Sequence, residues 1–397
     1  MTQTQSQPRR PKQPGVVGAY ALAGDYVDEV LLGTARDVHC AIAKRAFGLT
    51  NKVTGGFARA PQAVHDRISS AVYAGVGAGT RAISSGLRAA DNRGVGPRLE
   101  SSNRGRFVLS AVNGLLGDRL QEEQPTFAIQ MAVRSHGRDV PLDPASLRAT
   151  YPRATGDLVV FLHGLSENED YWNRHCEQTG GSYAERLVGE TTWTPVLLRA
   201  NTGLPIADNG VALADLLDKL VGEWPTDVSR IALVGHSMGG LIMRAACAVV
   251  TDAATQWNTL VTDVVTLGSP HLGAPIAKTL HLGAAALGHL PESAPFGRIL
   301  EYRSVGILNL RGGLAPDVRA LPSARYHLVA ATLASSLRHP VSEVLGDMLV
   351  RYPSATGRPR RGQEMFPGAD VLHVPAAGHF DLLNHPEVYA AIKAWLV

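Results

Sequence analysis

The pattern of apolar and polar positions changes rhythm once along this 397-residue chain, near residue 124. Before that point apolar residues recur at helical spacing. Val27, Val30, Leu31, Ala35, Val38, Ile42 and Ala46 make one stripe, which predicts a helix over residues 26–47. Val64, Ile68, Val72, Val76, Ile83 and Leu87 make a second, set among Ala and Gly. Val108, Leu109, Val112, Leu116 and Leu120 make a third. Residues 91–105, rich in Gly, Asn, Ser and Arg, read as the linker between the last two.

Beyond residue 124 the period shortens. Residues 127–133 alternate like a strand, and Ser135-His136-Gly137 predicts a turn into a second short strand. Residues 157–162, 194–198 and 230–234 are continuous apolar runs of the kind that buried parallel strands show. Further strands are expected at 263–267, 326–330 and 370–374. Helical patterns lie between them, notably at 211–221, and a helix is expected over 386–396. This alternation predicts an α/β domain at 125–397, a mostly parallel, doubly wound sheet covered on both faces. It follows an α-helical region at 16–120. Residues 1–15 are polar and basic, with Arg9, Arg10, Lys12 and three prolines, and read as a disordered tail.

One run carries chemistry. Gly235-His236-Ser237-Met238-Gly239-Gly240 stands between an apolar strand and an apolar helix. A serine on so sharp a strand-to-helix turn exposes its hydroxyl, and Gly235 and Gly239 remove Cβ atoms that the turn would crowd. The helix N-terminus also favours negative charge as it develops. Ser237 is thus the candidate nucleophile. On such a frame one oxyanion donor is the N–H after the nucleophile, Met238. The other comes from the loop after an earlier strand, where His163-Gly164-Leu165 offers the Leu165 N–H.

A serine hydroxyl needs a neighbouring imidazole to take its proton. The order of such sites along the chain puts that histidine last. His379, five residues past the final strand and after Gly378, is the candidate; His373 and His385 read as structural. The acid must lie between serine and histidine. Asp347, after Gly346 in a long loop, is the first choice and Asp370 the alternative. Gly164, His236 and His271 stand in or beside these loops and are assigned to substrate binding.

Composition narrows the rest. A net charge of +3 and 18% charged residues exclude a nucleic-acid stripe, and no apolar run is long enough to span a membrane. Cys40, Cys176 and Cys247 are odd in number and far apart, so no disulfide framework is expected. No apolar segment follows the basic start in the manner of a secretory signal, and a cytoplasmic setting is expected. His271 lacks partners at ligand spacing, so no metal is expected.

Taken together, Gly-His-Ser-Met-Gly-Gly, His163-Gly164-Leu165 and Gly268-Ser269-Pro270-His271-Leu272-Gly273 resemble the lipase and esterase branch of the α/β-hydrolases. Many lipases carry Gly-Thr-Pro-His-x-Gly at the third site; here Ser269 keeps the hydroxyl. Gly346-Asp347 with Leu349-Val350 also resembles the acid loop of bacterial lipase-like hydrolases, a branch similar to the inositol-deacylase-like lipases. The resemblance covers about residues 125–397. It implies hydrolysis of an acyl ester, small or lipid, by a Ser-Asp-His triad without a cofactor. Residues 275–322, rich in Leu, Ala, Gly and Pro, read as a cap inserted between core strands.

Two rivals remain open. A thioesterase or acyltransferase uses the same triad. Alternatively the N-terminal stripes could be the main functional part and lie on a membrane, a lipid body or a partner. Asp25, Asp28, Glu29 and Asp37 against only Arg36, Lys44 and Arg45 favour packing or self-association over a membrane surface. The oligomeric state is left open by the sequence.

Overall fold

Continuous apolar runs form the middle of one eight-stranded sheet. Its strands are β1 (Ala132–Ser135), β2 (Arg138–Asp139), β3 (Asp157–Leu162), β4 (Thr194–Arg199), β5 (Arg230–His236), β6 (Val261–Leu267), β7 (Arg325–Thr332) and β8 (Asp370–Pro375). This is seen in a computed structural model, which describes residues 13–26, 28, 32–53, 56, 58–249, 257–274, 304–310, 312–313, 318, 320–339, 342–343, 346–359 and 363–397. The strand order is β2-β1-β4-β3-β5-β6-β7-β8. The β1–β2 and β1–β4 pairs are antiparallel, and all others are parallel. This is the α/β-hydrolase fold.

Alternate residues serve opposite faces, as the two-residue period of a strand requires. Leu158, Val160, Leu162, Ile231, Leu233 and Val264 pack with Leu213, Leu217, Leu241 and Ile242 on one side. Val159, Phe161, Ala232, Val234, Val265 and Val329 pack with Leu187, Val388, Tyr389 and Ile392 on the other. In register, Leu162 pairs with Gly235, and His236 with Leu267. The loops leaving β3, β5, β6, β7 and β8 therefore emerge along one sheet edge, where ligands of open parallel sheets bind.

The hairpin expected at Ser135-His136-Gly137 forms, with His136 and Gly137 at φ 48° and 71°. The strand expected at 127–133 begins only at Ala132. The Asn113 side chain donates to the Phe127 carbonyl and accepts from the Ile129 N–H, which takes those groups away from a ladder. Asn113 lies on α4 (Asn103–Glu123), the third predicted helix. Its buried face is Gly105, Leu109, Ser110, Asn113, Gly114, Gly117 and Leu120, while Val108 and Leu115 are exposed. Of the predicted stripe, Leu109 and Leu120 are buried, Val112 and Leu116 half-buried, and Val108 exposed. A seam of small residues, not aliphatic bulk, lets α4 lie against the loops after β3 and β4.

The described residues divide into two units, one within residues 13–101 and one from residue 102 onward. The division falls ahead of α4, so the helix assigned by its stripe to the N-terminal region belongs to the sheet-bearing unit. In the first unit, α1 (Val16–Tyr26), α2 (Gly33–Val53) and α3 (Arg59–Asn92) replace the single helix expected at 26–47 and extend the second. Arg88 pairs with Asp25, and Arg81 with Asp28 at 2.7 Å. Val64, Ile68, Val72, Val76 and Ile83 of α3 are exposed. Among the described residues no helix is long and apolar enough to cross a membrane. Most of the basic tail, most of the expected cap at 275–322, and Val27, Val30 and Leu31 lie outside the described residues.

Candidate active site

β5 delivers its last residue, His236, to the edge, and the helix Met238–Cys247 starts one residue later. Between them Ser237 sits at φ 51°, ψ −121°, a conformation costly for a residue with a Cβ, by about 1–3 kcal/mol. It persists because the surroundings fix it. The Ser237 N–H donates to the Leu267 carbonyl at 2.8 Å, and all ten residues of the following helix are buried. Gly235 and Gly239 permit the turn. A Cβ on Gly235 would stand 2.5 Å from the Gly240 nitrogen, and one on Gly239 would stand 2.6 Å from the His163 carbonyl oxygen. Ser237 itself is partly open to solvent.

His379 follows β8 and Asp347 follows β7, and the structure brings them together. The His379 Nδ1–H donates to Asp347 Oδ2 at 2.8 Å, with both side chains buried. Asp347 Oδ1 accepts the Leu349 and Val350 N–H groups at 2.9 and 2.7 Å. The His379 N–H donates to the Asp347 carbonyl at 3.0 Å, so the two loops are also joined through the backbone. Gly268, the residue after Leu267, lies under the imidazole; a Cβ there would be 3.1 Å from His379 Nδ1 and Cε1. Leu267–Gly268 therefore touches both the serine backbone and the histidine ring. The alternative acid, Asp370, is the first residue of β8, at the opposite sheet edge, and faces His327 at 2.9 Å. His373 bonds Thr332 at 2.8 Å, and His385 precedes the terminal helix Pro386–Leu396.

The loop after β3 holds Leu165. The Gly164 N–H is taken, donating to Glu167 Oε2 at 2.8 Å. Among the described residues the Leu165 N–H meets no protein acceptor, and Met238 opens a helix whose first N–H groups lack intrahelical partners. Ser166, next to Leu165, has φ 61° and its N–H donates to Thr202 Oγ1 at 3.0 Å. α4 backs this loop, since a Cβ on Gly114 would stand 2.9 Å from Ser166 Cα. Gly114→Ala is expected to cost about 1–3 kcal/mol of stability by overpacking and to lower turnover by displacing Leu165. Thermal unfolding and steady-state rates measured on one preparation check it, and unchanged turnover in a destabilised variant would dissociate α4 from the site.

Sequence reasoning missed Glu167. This fully buried carboxylate faces His236 Nδ1 at 2.9 Å. Burial alone would raise its pKa, but the His236 charge, their hydrogen bond and the Gly164 N–H outweigh burial and hold it below the usual carboxylate value. Burial would likewise lower His236, and the Glu167 charge with the His379 carbonyl raises it above the ordinary imidazole value. Glu167 contributes stability above the ordinary carboxylate range, lost as pH falls through its lowered value. His236 contributes below the ordinary imidazole range, lost as pH rises through its raised value. The melting-temperature gap between wild type and Glu167→Gln is thus expected to be largest between those two ranges and to shrink on either side. A gap independent of pH would show the pair to be uncharged. The sequence signal was slight: one acidic residue three positions after the His-Gly pair.

The three residues assigned to substrate binding lie differently from expectation. His236 and His271 are fully buried, and both nitrogens of each ring are engaged. His271 Nδ1 accepts from Arg244 at 3.2 Å, which leaves Nε2–H for Thr266 Oγ1 at 3.2 Å. Burial and then the Arg244 charge push its pKa well below the ordinary value, so it is neutral. Neither ring presents a face to a ligand, and Gly164 has its N–H committed. These positions brace the loops. Among the described residues no group of three or more His, Cys, Asp or Glu could hold a metal.

Residues 153–302 match the family model described as "Putative serine esterase (DUF676)". That segment carries the His163-Gly164-Leu165 loop, Ser237 and His271, and the match supports a serine ester hydrolase. No curated protein sequence matches the chain. Among solved structures, the lipase BlEst2 of Bacillus licheniformis is 19% identical, covers 61% of this chain and 92% of its own, with a TM-score of 0.44. A lipase-esterase related protein of Clostridium acetobutylicum is 12% identical over 61% of this chain and 95% of its own, with a TM-score of 0.40. The Pyrococcus furiosus esterase Pf2001 is 17% identical over 62% of this chain and 84% of its own, with a TM-score of 0.38.

Proposed function

We propose that the chain hydrolyses carboxylic esters of apolar acyl groups through Ser237, His379 and Asp347. The observation that carries this reading is the buried 2.8 Å contact of His379 Nδ1 with Asp347 on the sheet edge that also bears the Ser237 turn. Asp347 holds the proton on Nδ1, which leaves Nε2 to take the serine proton. Ser237 Oγ attacks the ester carbonyl, and the Leu165 and Met238 N–H groups receive the developing oxyanion, each worth about 3–4 kcal/mol in the transition state. His379 passes the proton to the departing alcohol. Water then attacks the acyl-enzyme with the proton moving the same way, releasing the acid and restoring the serine. No cofactor enters any step.

The test is a series of p-nitrophenyl esters of rising acyl length, with the best substrate taken through a pH profile. Turnover is expected to fall in mildly acidic solution, because a base must be neutral to accept a proton. A rate flat across roughly pH 5–8, where an imidazole usually titrates, would remove His379 from this role. Thioesters and an added alcohol acceptor in the same series read thiol release and acyl transfer against hydrolysis.

A further inference from the structure

The buried Glu167–His236 pair touches three of the loops that the reaction uses. Glu167 Oε2 accepts the Gly164 N–H at 2.8 Å, one residue before the oxyanion donor Leu165. Its carboxylate meets His236 Nδ1 at 2.9 Å, one residue before the nucleophile. His236 Nε2 in turn lies 3.3 Å from the backbone carbonyl oxygen of His379, and the two imidazole centroids are 4.8 Å apart. Both ring nitrogens of His236 therefore face oxygens that accept, the His379 carbonyl always and the Glu167 carboxylate whenever it is ionised. An imidazole satisfies two acceptors at once only as the imidazolium, with a proton on each nitrogen.

We propose that Glu167 and His236 form a buried charged clamp that sets the oxyanion loop, the nucleophile turn and the catalytic-histidine loop in mutual register, making Glu167 a positioning residue for ester hydrolysis. This rests on the serine-hydrolase reading above. The clamp suits its place because one carboxylate can accept a backbone N–H and balance the charge of an imidazolium together. With alanine at 167 the Gly164 N–H and His236 Nδ1 lose their shared partner, whereas glutamine keeps both contacts, its carbonyl accepting from Gly164 and its amide donating to Nδ1 of a neutral ring, but without the charge. The charged and titratable groups facing His236 are Glu167 from the loop after β3, His379 from the loop after β8 and Asp347 from the loop after β7. The rings of Trp172 and Phe380 close the remaining sides. Asp347 is already bound to His379 and two backbone N–H groups, so Glu167 is the counter-charge in direct contact.

The experiment uses the full chain and begins with fluorophosphonate labelling of the wild type, which tests the serine-hydrolase reading by itself. Absence of labelling there overturns that reading and the clamp's catalytic role with it. With the wild type labelled, Glu167→Ala is expected to lower kcat on a soluble short-chain ester on the order of 100-fold, comparable to losing one oxyanion donor, with KM little changed. Glu167→Gln keeps an acceptor for Gly164 and is expected to lose about tenfold. A folded Glu167→Ala enzyme with wild-type kcat overturns the proposal, as does a loss confined to KM. Should Glu167→Ala fail to fold, nitrogen-15 NMR of the labelled wild type decides. His236, assigned by its absence in His236→Asn, is expected to show protons on both ring nitrogens at neutral pH and one in Glu167→Gln. A singly protonated His236 in the wild type overturns the clamp.

Discussion

Ser237→Ala is expected to abolish fluorophosphonate labelling and to lower ester turnover about a million-fold, the scale of losing the nucleophile from a triad. The substitution is mild for the fold. Alanine keeps the Cβ, so the backbone at φ 51° is no worse accommodated, and the Ser237 N–H bond to Leu267 is untouched. Stability should stay close to wild type, and the loss should appear in the chemical step. Labelling is the sharper readout because it reports the nucleophile without requiring the right substrate. Label recovered at another residue of the variant would sink the assignment of Ser237. Full turnover without labelling would point to a reaction that needs no serine.

Asp347→Asn should lower kcat about ten-thousand-fold while leaving the loop in place. The reason lies in what Asp347 already holds. Oδ1 receives two backbone N–H groups, from Leu349 and Val350. An asparagine must put its amide oxygen there, since an amide NH2 would face two donors and leave all of them unpaired. Its NH2 then points at His379 Nδ1, which must become the acceptor. The ring proton moves to Nε2, and a protonated Nε2 cannot take a proton from serine. The loss should fall on kcat with KM nearly unchanged, and NMR should show the exchanged tautomer. An Asp347→Asn enzyme within about tenfold of wild type would return the acid's role to another residue. Asp370→Asn is the matched control, and at the far sheet edge it should leave kcat alone.

The sequence told most where chemistry and local conformation demand the same residues. A sharp turn between a buried strand and a buried helix can be read from Gly235 and Gly239 flanked by apolar runs, because the glycine requirement is local. The order of loops along the chain was enough to select His379 and Asp347 as candidates, and the fold then placed them in contact. The central parallel strands were legible because burial on both faces leaves Leu158–Leu162 and Ile231–Val234 wholly apolar.

The sequence was silent or misleading where a residue's role depends on what arrives from elsewhere. The α4 stripe placed Leu109 and Leu120 correctly in the buried face but gave no sign of Gly114, Gly117 and Asn113 beside them, which the close approach to the loops after β3 and β4 requires to be small or hydrogen-bonding. Residues 127–133 alternate like a strand, but Phe127 and Ile129 give their backbone groups to the Asn113 side chain and pairing starts only at Ala132. His236 and His271 looked available to a substrate and are enclosed, their nitrogens answered by Glu167 and Arg244. Glu167 had almost no signature. Its carboxylate gains meaning only when β3 and β5 lie side by side and a buried histidine faces it. Local patterning thus determined the strands, the turn at Ser237 and the order of Ser237, Asp347 and His379 as candidates along the chain. Tertiary packing alone decided which buried charges pair and which helix stands behind the loop after β3, because burial and partnership are properties of the assembled chain.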